Sequence, residues 1–324
     1  MTIELPGLFD LQVNGFGGID FNALDLSSDQ ASEALERMRA TGVTRCLPTL
    51  ITSPFERFAA NARVLAGMSN DAIAGIHMEG PYLASDDGPR GAHPREHLTA
   101  ASIDDFRRRQ DAAHGRIVLV TLAPEVPGAC PLIEYLVAAK VRVAIGHTNA
   151  TAHQLADAIA AGATLATHLG NGCAQMLPRH PNVIWELLAA DDVFASLIVD
   201  GHHLPPATVK SMVRAKGIAR TLLITDAVAA ATCAPGRYTL GDVSCELTAD
   251  GRVSSPGTPY LAGSSLTLDR AIANTVRFTG LPIEAVIPMA STMPASYFGM
   301  STSGSVSADW DQETQTLHIR KVTA

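Results

Sequence analysis

Ile73-Ala74-Gly75-Ile76-His77-Met78-Glu79-Gly80-Pro81 is an apolar run that stops on an acid and a turn-forming Gly-Pro pair. A short apolar segment bounded by Gly and Pro reads as a buried strand. Its last residue is a carboxylate, delivered to the strand's C-terminal end. The same arrangement recurs three times: 141–145 runs into Gly146-His147, 164–166 into Thr167-His168-Leu169, and 221–224 into Thr225-Asp226. Further strand-like runs at 7–13, 44–50, 116–122 and 195–199 bring the total to eight. Between them lie stretches with apolar positions three and four apart, among them 29–40, 54–65, 133–139, 152–161, 183–190 and 206–216. Strands alternating with amphipathic helices predict an α/β fold with a parallel sheet, and eight such units predict a (β/α)8 TIM barrel, whose strand-end acids and histidines make it one of the metal-dependent hydrolase type. In that architecture chemistry is built where the strands end, which is where Glu79, His147, His168 and Asp226 fall.

Beyond the eighth strand the pattern changes. Residues 237–254 alternate around the turn pair Asp250-Gly251, two helical stretches follow at 266–276 and 282–290, and 305–322 alternates again. The expected organisation is a barrel over residues 1–302 and a short C-terminal β-hairpin over 303–324, packed on it.

With 47% hydrophobic and 17% charged residues in 324, the chain has ample material for a large core and too little charge for disorder. A net charge of -8 without a basic stripe argues against a nucleic-acid partner. Cys46, Cys130, Cys173, Cys233 and Cys245 are scattered and form no CxxC pair, as expected of reduced thiols. The start shows no leader-like apolar stretch, and no run approaches the roughly 20 apolar residues of a membrane helix. A soluble cytoplasmic protein without a membrane partner is expected.

Glu79, His147 and His168 are a donor set suited to Zn²⁺, with a position left for water. One inward histidine alone is more often a hydrogen-bonded core residue; three donors at successive strand ends have no structural reason to share a rim. One divalent ion per subunit is expected, zinc first, with Fe²⁺ and Co²⁺ as alternatives. Asp226 could cap a helix, but facing an ion-activated water it would serve as general base. On the first strand Asp10, Gln12 and Asn14 share a face. The neutral amides of Gln12 and Asn14 are poor ligands for a second ion. His77 suits a hydrogen-bonding role behind the ligands, His202 and His203 follow strand seven, and His93 lies in a Gly/Pro-rich loop, 80–94, long enough to cover a pocket.

Taken in order, 6–15 (PGLFDLQVNG), 47–52 (LPTLIT), 77–81 (HMEGP), 91–93 (GAH), 122–125 (LAPE), 146–150 (GHTNA), 167–169 (THL), 200–203 (DGHH), 225–227 (TDA) and 261–267 (LAGSSLT) resemble the N-acetylglucosamine-6-phosphate deacetylases of the amidohydrolase superfamily. The resemblance extends from about residue 6 to residue 300. It implies metal-dependent hydrolysis of an N-acetyl amino sugar, its 6-phosphate above all, with Glu79, His147 and His168 as ligands. Asp226 would carry the proton from water to the leaving amine, and His93 would polarise the acetyl carbonyl. Sugar-phosphate contacts would fall on Asn171, Gly172, His203 and Arg179, the last reaching across the interface of a homodimer.

Two departures stand out. The β-rich segment that usually precedes the first barrel strand is mostly absent before Pro6, and the usual His-Leu-aromatic-Asn-Ala-Met becomes His168-Leu169-Gly170-Asn171-Gly172-Cys173. The chemistry is therefore more legible than the substrate. A different N-acyl compound or a cyclic amide is the second reading, and a non-catalytic sugar-binding barrel the third.

Overall fold

The computed structural model describes residues 1–258 and 260–323; Ala324, the last residue of the expected tail, lies outside them. Its central sheet has eight strands, Leu8–Val13, Val43–Ile51, Ile76–Glu79, Ile117–Leu122, Arg142–Ile145, Leu165–Ala166, Phe194–Ile198 and Thr221–Ile224, hydrogen-bonded in chain order. All adjacent pairs are parallel. The barrel closes between first and last strands through the parallel bridge Val13 to Ala227. There the Asp226 N–H donates to the Gln12 carbonyl at 2.9 Å and the Asn14 N–H to the Ala227 carbonyl at 2.7 Å.

A helix follows every strand: Ser28–Arg39, Phe55–Gly67, Ile103–Ala112, Ala129–Ala138, Ala152–Ala160, Val183–Ala189, Pro206–Lys216 and Leu268–Thr279. Local chemistry sets their starts. Ser27 and Thr151 each form a capping box with a glutamine three residues on, and Asn182 accepts the N–H groups of Ile184 and Trp185. Ala31, Ala34, Leu35 and Met38 then present one buried stripe to the sheet. Helix Ile103–Ala112 is harder to see in the sequence because its face is mostly charged. It buries Phe106 and the Arg109 guanidinium, which pairs with Asp105 at 2.8 Å.

The third strand begins at Ile76; Ile73 makes only an isolated bridge to Cys46. The expected helix at 282–290 divides into Ile283–Val286 and a 3-10 turn Ile287–Ala290, since Pro288 has no N–H to continue the first. The terminal hairpin, Ser305–Asp311 with Thr316–Thr323, takes a third antiparallel strand, Thr2–Pro6, on the edge of Ser305–Asp311. A second small antiparallel sheet, Gly236–Leu240, Val243–Leu247 and Val253–Ser254, buries Leu240, Cys245, Leu247 and Val253 against Val228 and Ala262. Leu240 and Val243 carry that sheet to the wall of the barrel mouth.

Candidate active site

The barrel mouth opens into a cavity of about 990 Å³ that reaches Glu79, His93, His147, His168, His203 and Asp226. At its base the Glu79 Oε1 lies 3.2 Å from His147 Nε2 and 3.1 Å from His168 Nε2, and the two Nε2 atoms are 3.0 Å apart. Four-coordinate zinc with ligands at about 2.1 Å separates its donor atoms by about 3.4 Å, so these spacings are within a few tenths of an ångström of what one ion needs. All three side chains are buried. His147 Nδ1 is 2.9 Å from the Pro89 carbonyl; donating its proton there leaves the Nε2 lone pair facing the centre. The residues fit a divalent cation. Burial raises the Glu79 carboxyl, but the adjacent His147 and His168 imidazoles prevail and hold it well below the usual carboxylate range. Burial lowers the His168 imidazole, yet the adjacent Glu79 carboxylate outweighs this and holds it above its ordinary value.

His147, His168 and Asp226 each have a positive φ, 51°, 33° and 49°. This left-handed conformation is uncommon for residues other than glycine, and its clustering at one rim marks the turns that swing these side chains inward from the strand ends. No residue pattern announces it. Gly172 has φ +56°, and a Cβ there would sit 3.0 Å from His147 Nδ1 and 3.1 Å from His168 Cε1. The loop backbone thus packs directly on the two imidazoles.

Asp226 receives hydrogen bonds from Asn14 Nδ2 at 2.7 Å and Gln12 Nε2 at 3.1 Å, and the same Gln12 nitrogen donates to Glu79 at 2.9 Å. Burial, helped by the Glu79 charge, pushes the Asp226 carboxyl up to about 6. The first-strand amides therefore turn N–H groups, not ligating oxygens, toward the centre.

His93 is brought in by loop 80–94, with Nδ1 2.9 Å from the Thr52 hydroxyl and Nε2 3.3 Å from His147 Nε2. Burial lowers its pKa to about 3, so the ring is neutral. Arg90 secures this loop, donating to the His93 carbonyl at 2.8 Å and to Asp87 at 2.7 Å. His77 faces the layer beneath, between Thr49 at 3.3 Å and Thr121 at 2.7 Å.

His203 lines the cavity with Nδ1 2.7 Å from Asp200 Oδ2, whereas His202 turns outward to the Asp250 carbonyl at 3.2 Å. Asp200 is the partner that sequence reading missed; its signal was the short spacing in Asp200-Gly201-His202-His203. Its carboxyl is raised by burial, but the His203 bond and charge prevail and hold it below its ordinary value. Asn171 and Gly172 line the cavity, while Arg179 is exposed and, among the described residues, does not. A Cβ at Gly170 would meet Leu204 Cδ2 and Met212 Cε at 2.9 Å, so those two side chains pack where an aromatic ring would otherwise begin. Among the described residues no helix is long and apolar enough to cross a membrane.

A parallel barrel with this buried Glu-His-His rim has the build of an amidohydrolase, and the amidohydrolase family model matches residues 3–311. Within that class the chain belongs to the N-acetylglucosamine-6-phosphate deacetylase family and is a deacetylase amidohydrolase. It is 33% identical to N-acetylglucosamine-6-phosphate deacetylase of Vibrio furnissii over 301 residues, 91% of this chain and 74% of that protein. It is equally 33% identical to N-acetylgalactosamine-6-phosphate deacetylase of Escherichia coli O157:H7, covering 91% of this chain and 78% of that one. Among solved structures, a mutant of the Mycobacterium smegmatis N-acetyl-D-glucosamine-6-phosphate deacetylase in complex with N-acetyl-D-glucosamine-6-phosphate superposes with a TM-score of 0.91. That match has 31% identity and covers 99% of this chain and 85% of that chain.

Proposed function

We propose that the protein hydrolyses the acetamido group of an N-acetyl amino sugar 6-phosphate, with N-acetylglucosamine 6-phosphate as the expected substrate, to the amino sugar phosphate and acetate. The observation that carries this reading is the convergence of Glu79, His147 and His168 beside a carboxylate, Asp226, that is not one of their set. Glu79, His147 and His168 would hold a divalent cation, whose positive charge would acidify water and polarise the carbonyl. Zinc is the first choice for this donor set, with Fe²⁺ and Co²⁺ next.

Asp226 takes one proton from the attacking water on its carboxylate and later gives it to the departing nitrogen. The C–N bond breaks, leaving acetate and a free amine. Gln12 and Asn14 hold the carboxylate in place during both transfers. Neutral His93, with Nδ1 accepting the Thr52 hydroxyl, offers Nε2–H to the carbonyl oxygen as negative charge develops there. Asn171 and Gly172 meet the sugar, and the Asp200-His203 pair presents a fixed Nε2 to its polar groups. Arg179 is assigned to phosphate across a homodimer interface. Its exposure, with Met176 91% and Trp185 55% exposed nearby, supports a surface that a second copy covers.

Acetate release from N-acetylglucosamine and N-acetylgalactosamine, each with and without 6-phosphate, tests the reading. Turnover should require a divalent ion and favour a phosphorylated sugar, and Arg179→Ala should raise KM for that sugar with little change in kcat. No hydrolysis of any of the four with added Zn²⁺, Fe²⁺ or Co²⁺ would sink it. Preference for another N-acyl or cyclic amide would favour the second reading, for which the Gly170 packing is the motivation.

A further inference from the structure

Beneath Asp226 lies a second carboxylate that the proposed chemistry leaves unused. Asp10 is fully buried in the first barrel strand. Its Oδ1 accepts the N–H groups of Gln12 at 3.3 Å and Thr225 at 3.2 Å, and its Oδ2 accepts the Thr225 hydroxyl at 2.5 Å. Elsewhere neighbouring barrel strands are joined by ladders, but between first and eighth the backbone offers only the Val13 to Ala227 bridge and its flanking bonds. Asp10 stitches the remainder of that seam.

The seam runs through the peptide units on either side of Asp226. Having donated to Asp10, the Thr225 hydroxyl also accepts the Ala227 N–H at 3.1 Å, so one oxygen ties down both neighbours of Asp226. Ser264 secures the opposite side, with its hydroxyl donating to the Thr225 carbonyl at 2.5 Å and its N–H to the Asp226 carbonyl at 2.9 Å. Between these clamps Asp226 adopts φ 49°. A left-handed aspartate of this kind persists where its surroundings over-determine it.

We propose that Asp10, acting through Thr225, is a positioning residue that holds Asp226 in the backbone conformation from which its carboxylate reaches the reaction centre. The first strand then serves the eighth twice: Asp10 fixes the backbone of Asp226, while Gln12 and Asn14 fix its carboxylate. This rests on the reading of Asp226 as proton carrier. Closure of the barrel alone does not call for a carboxylate, since burial pushes Asp10 up to about 7 and an uncharged side chain would join two strands at lower cost. What a carboxylate adds is several acceptor positions aimed at one peptide.

The test compares Thr225→Val, Thr225→Ser and Asp10→Asn in the full-length, metal-loaded protein, on whichever N-acetyl compound the unaltered protein hydrolyses. Thr225→Val should lower kcat at least tenfold, with KM within threefold and metal content unchanged. Thr225→Ser, which keeps the hydroxyl, should stay within twofold of the parent, and Asp10→Asn should follow Thr225→Val. A crystal structure of Thr225→Val should show the Asp226 carboxylate displaced from the Gln12 and Asn14 amides. A folded Thr225→Val with parental kcat, or one whose Asp226 has not moved, overturns the proposal. If Asp10→Asn does not fold, the Thr225 pair decides. Undiminished turnover in Asp226→Asn would instead refute the proton-carrier reading, whereas the position of Asp226 in the Thr225→Val crystal still reports on positioning by itself.

Discussion

Two arcs of one rim, equally buried, do opposite work. On the side of strands three, five and six, Glu79, His147 and His168 bring atoms able to ligate an ion toward a common point. On the side of strand one, Gln12 and Asn14 turn amide N–H groups toward Glu79 and Asp226. The difference teaches that depth and strand-end placement do not by themselves make a ligand; the sign of the atom facing the centre does. A donor set of N–H groups repels a cation and holds a carboxylate, so one arc suits an ion and the other suits a base.

The sharpest way to break this contrast is Glu79→Gln, which converts a proposed ligand into the kind of amide found on strand one. Metal content should collapse and turnover fall on the order of a thousandfold or more, read by elemental analysis and acetate release. Asp226→Asn should retain the ion and lose about a hundredfold to ten-thousandfold in kcat, because an amide cannot accept the proton. In the ion-loaded parent enzyme kcat should fall with decreasing pH somewhere below about 6, where the Asp226 carboxyl takes up a proton and ceases to be a base, approaching about tenfold per pH unit beyond that. A pH profile with metal content monitored alongside checks the sign; the charge of a bound cation shifts the limb to lower pH.

Gln12→Ala should keep the ion and lower kcat by about ten- to a hundredfold, the loss seen for residues that orient others at a metal site. Loss of the ion in that variant would erase the distinction between the arcs. Gly172→Ala puts a methyl group 3.0 Å from His147 Nδ1 at φ +56°, and should cost about 1–2 kcal/mol in thermal unfolding while weakening metal affinity. His202→Ala should change kcat/KM by less than about twofold, since its ring points to the Asp250 carbonyl outside the cavity.

Much of this was legible in the chain. Apolar runs ending on Glu79, His147, His168 and Asp226 declare both the strands and the end at which their polar residues emerge, because parallel strands buried on both faces need continuous apolar sequence. The charged helix Ile103–Ala112 was obscured because its buried surface includes an arginine whose cost is offset by Asp105 and by packing on the Phe58 ring. By residue type His202 and His203 are equivalent and only the family resemblance singled out His203; the turn at Gly201 sends the two in different directions.

What the sequence alone determined was the parallel barrel, its family and which side chains could hold an ion, since these depend on periodicity and on chemistry carried by each side chain. Only the tertiary structure decided that three non-glycine residues at one rim adopt a left-handed conformation, that Asp10 reaches the peptide before Asp226 from 215 residues away, and that Asp200 holds His203 while His202 turns outward. Those outcomes depend on closing the barrel, which brings the first strand against the eighth, and no local pattern encodes a contact between residues so far apart in the chain.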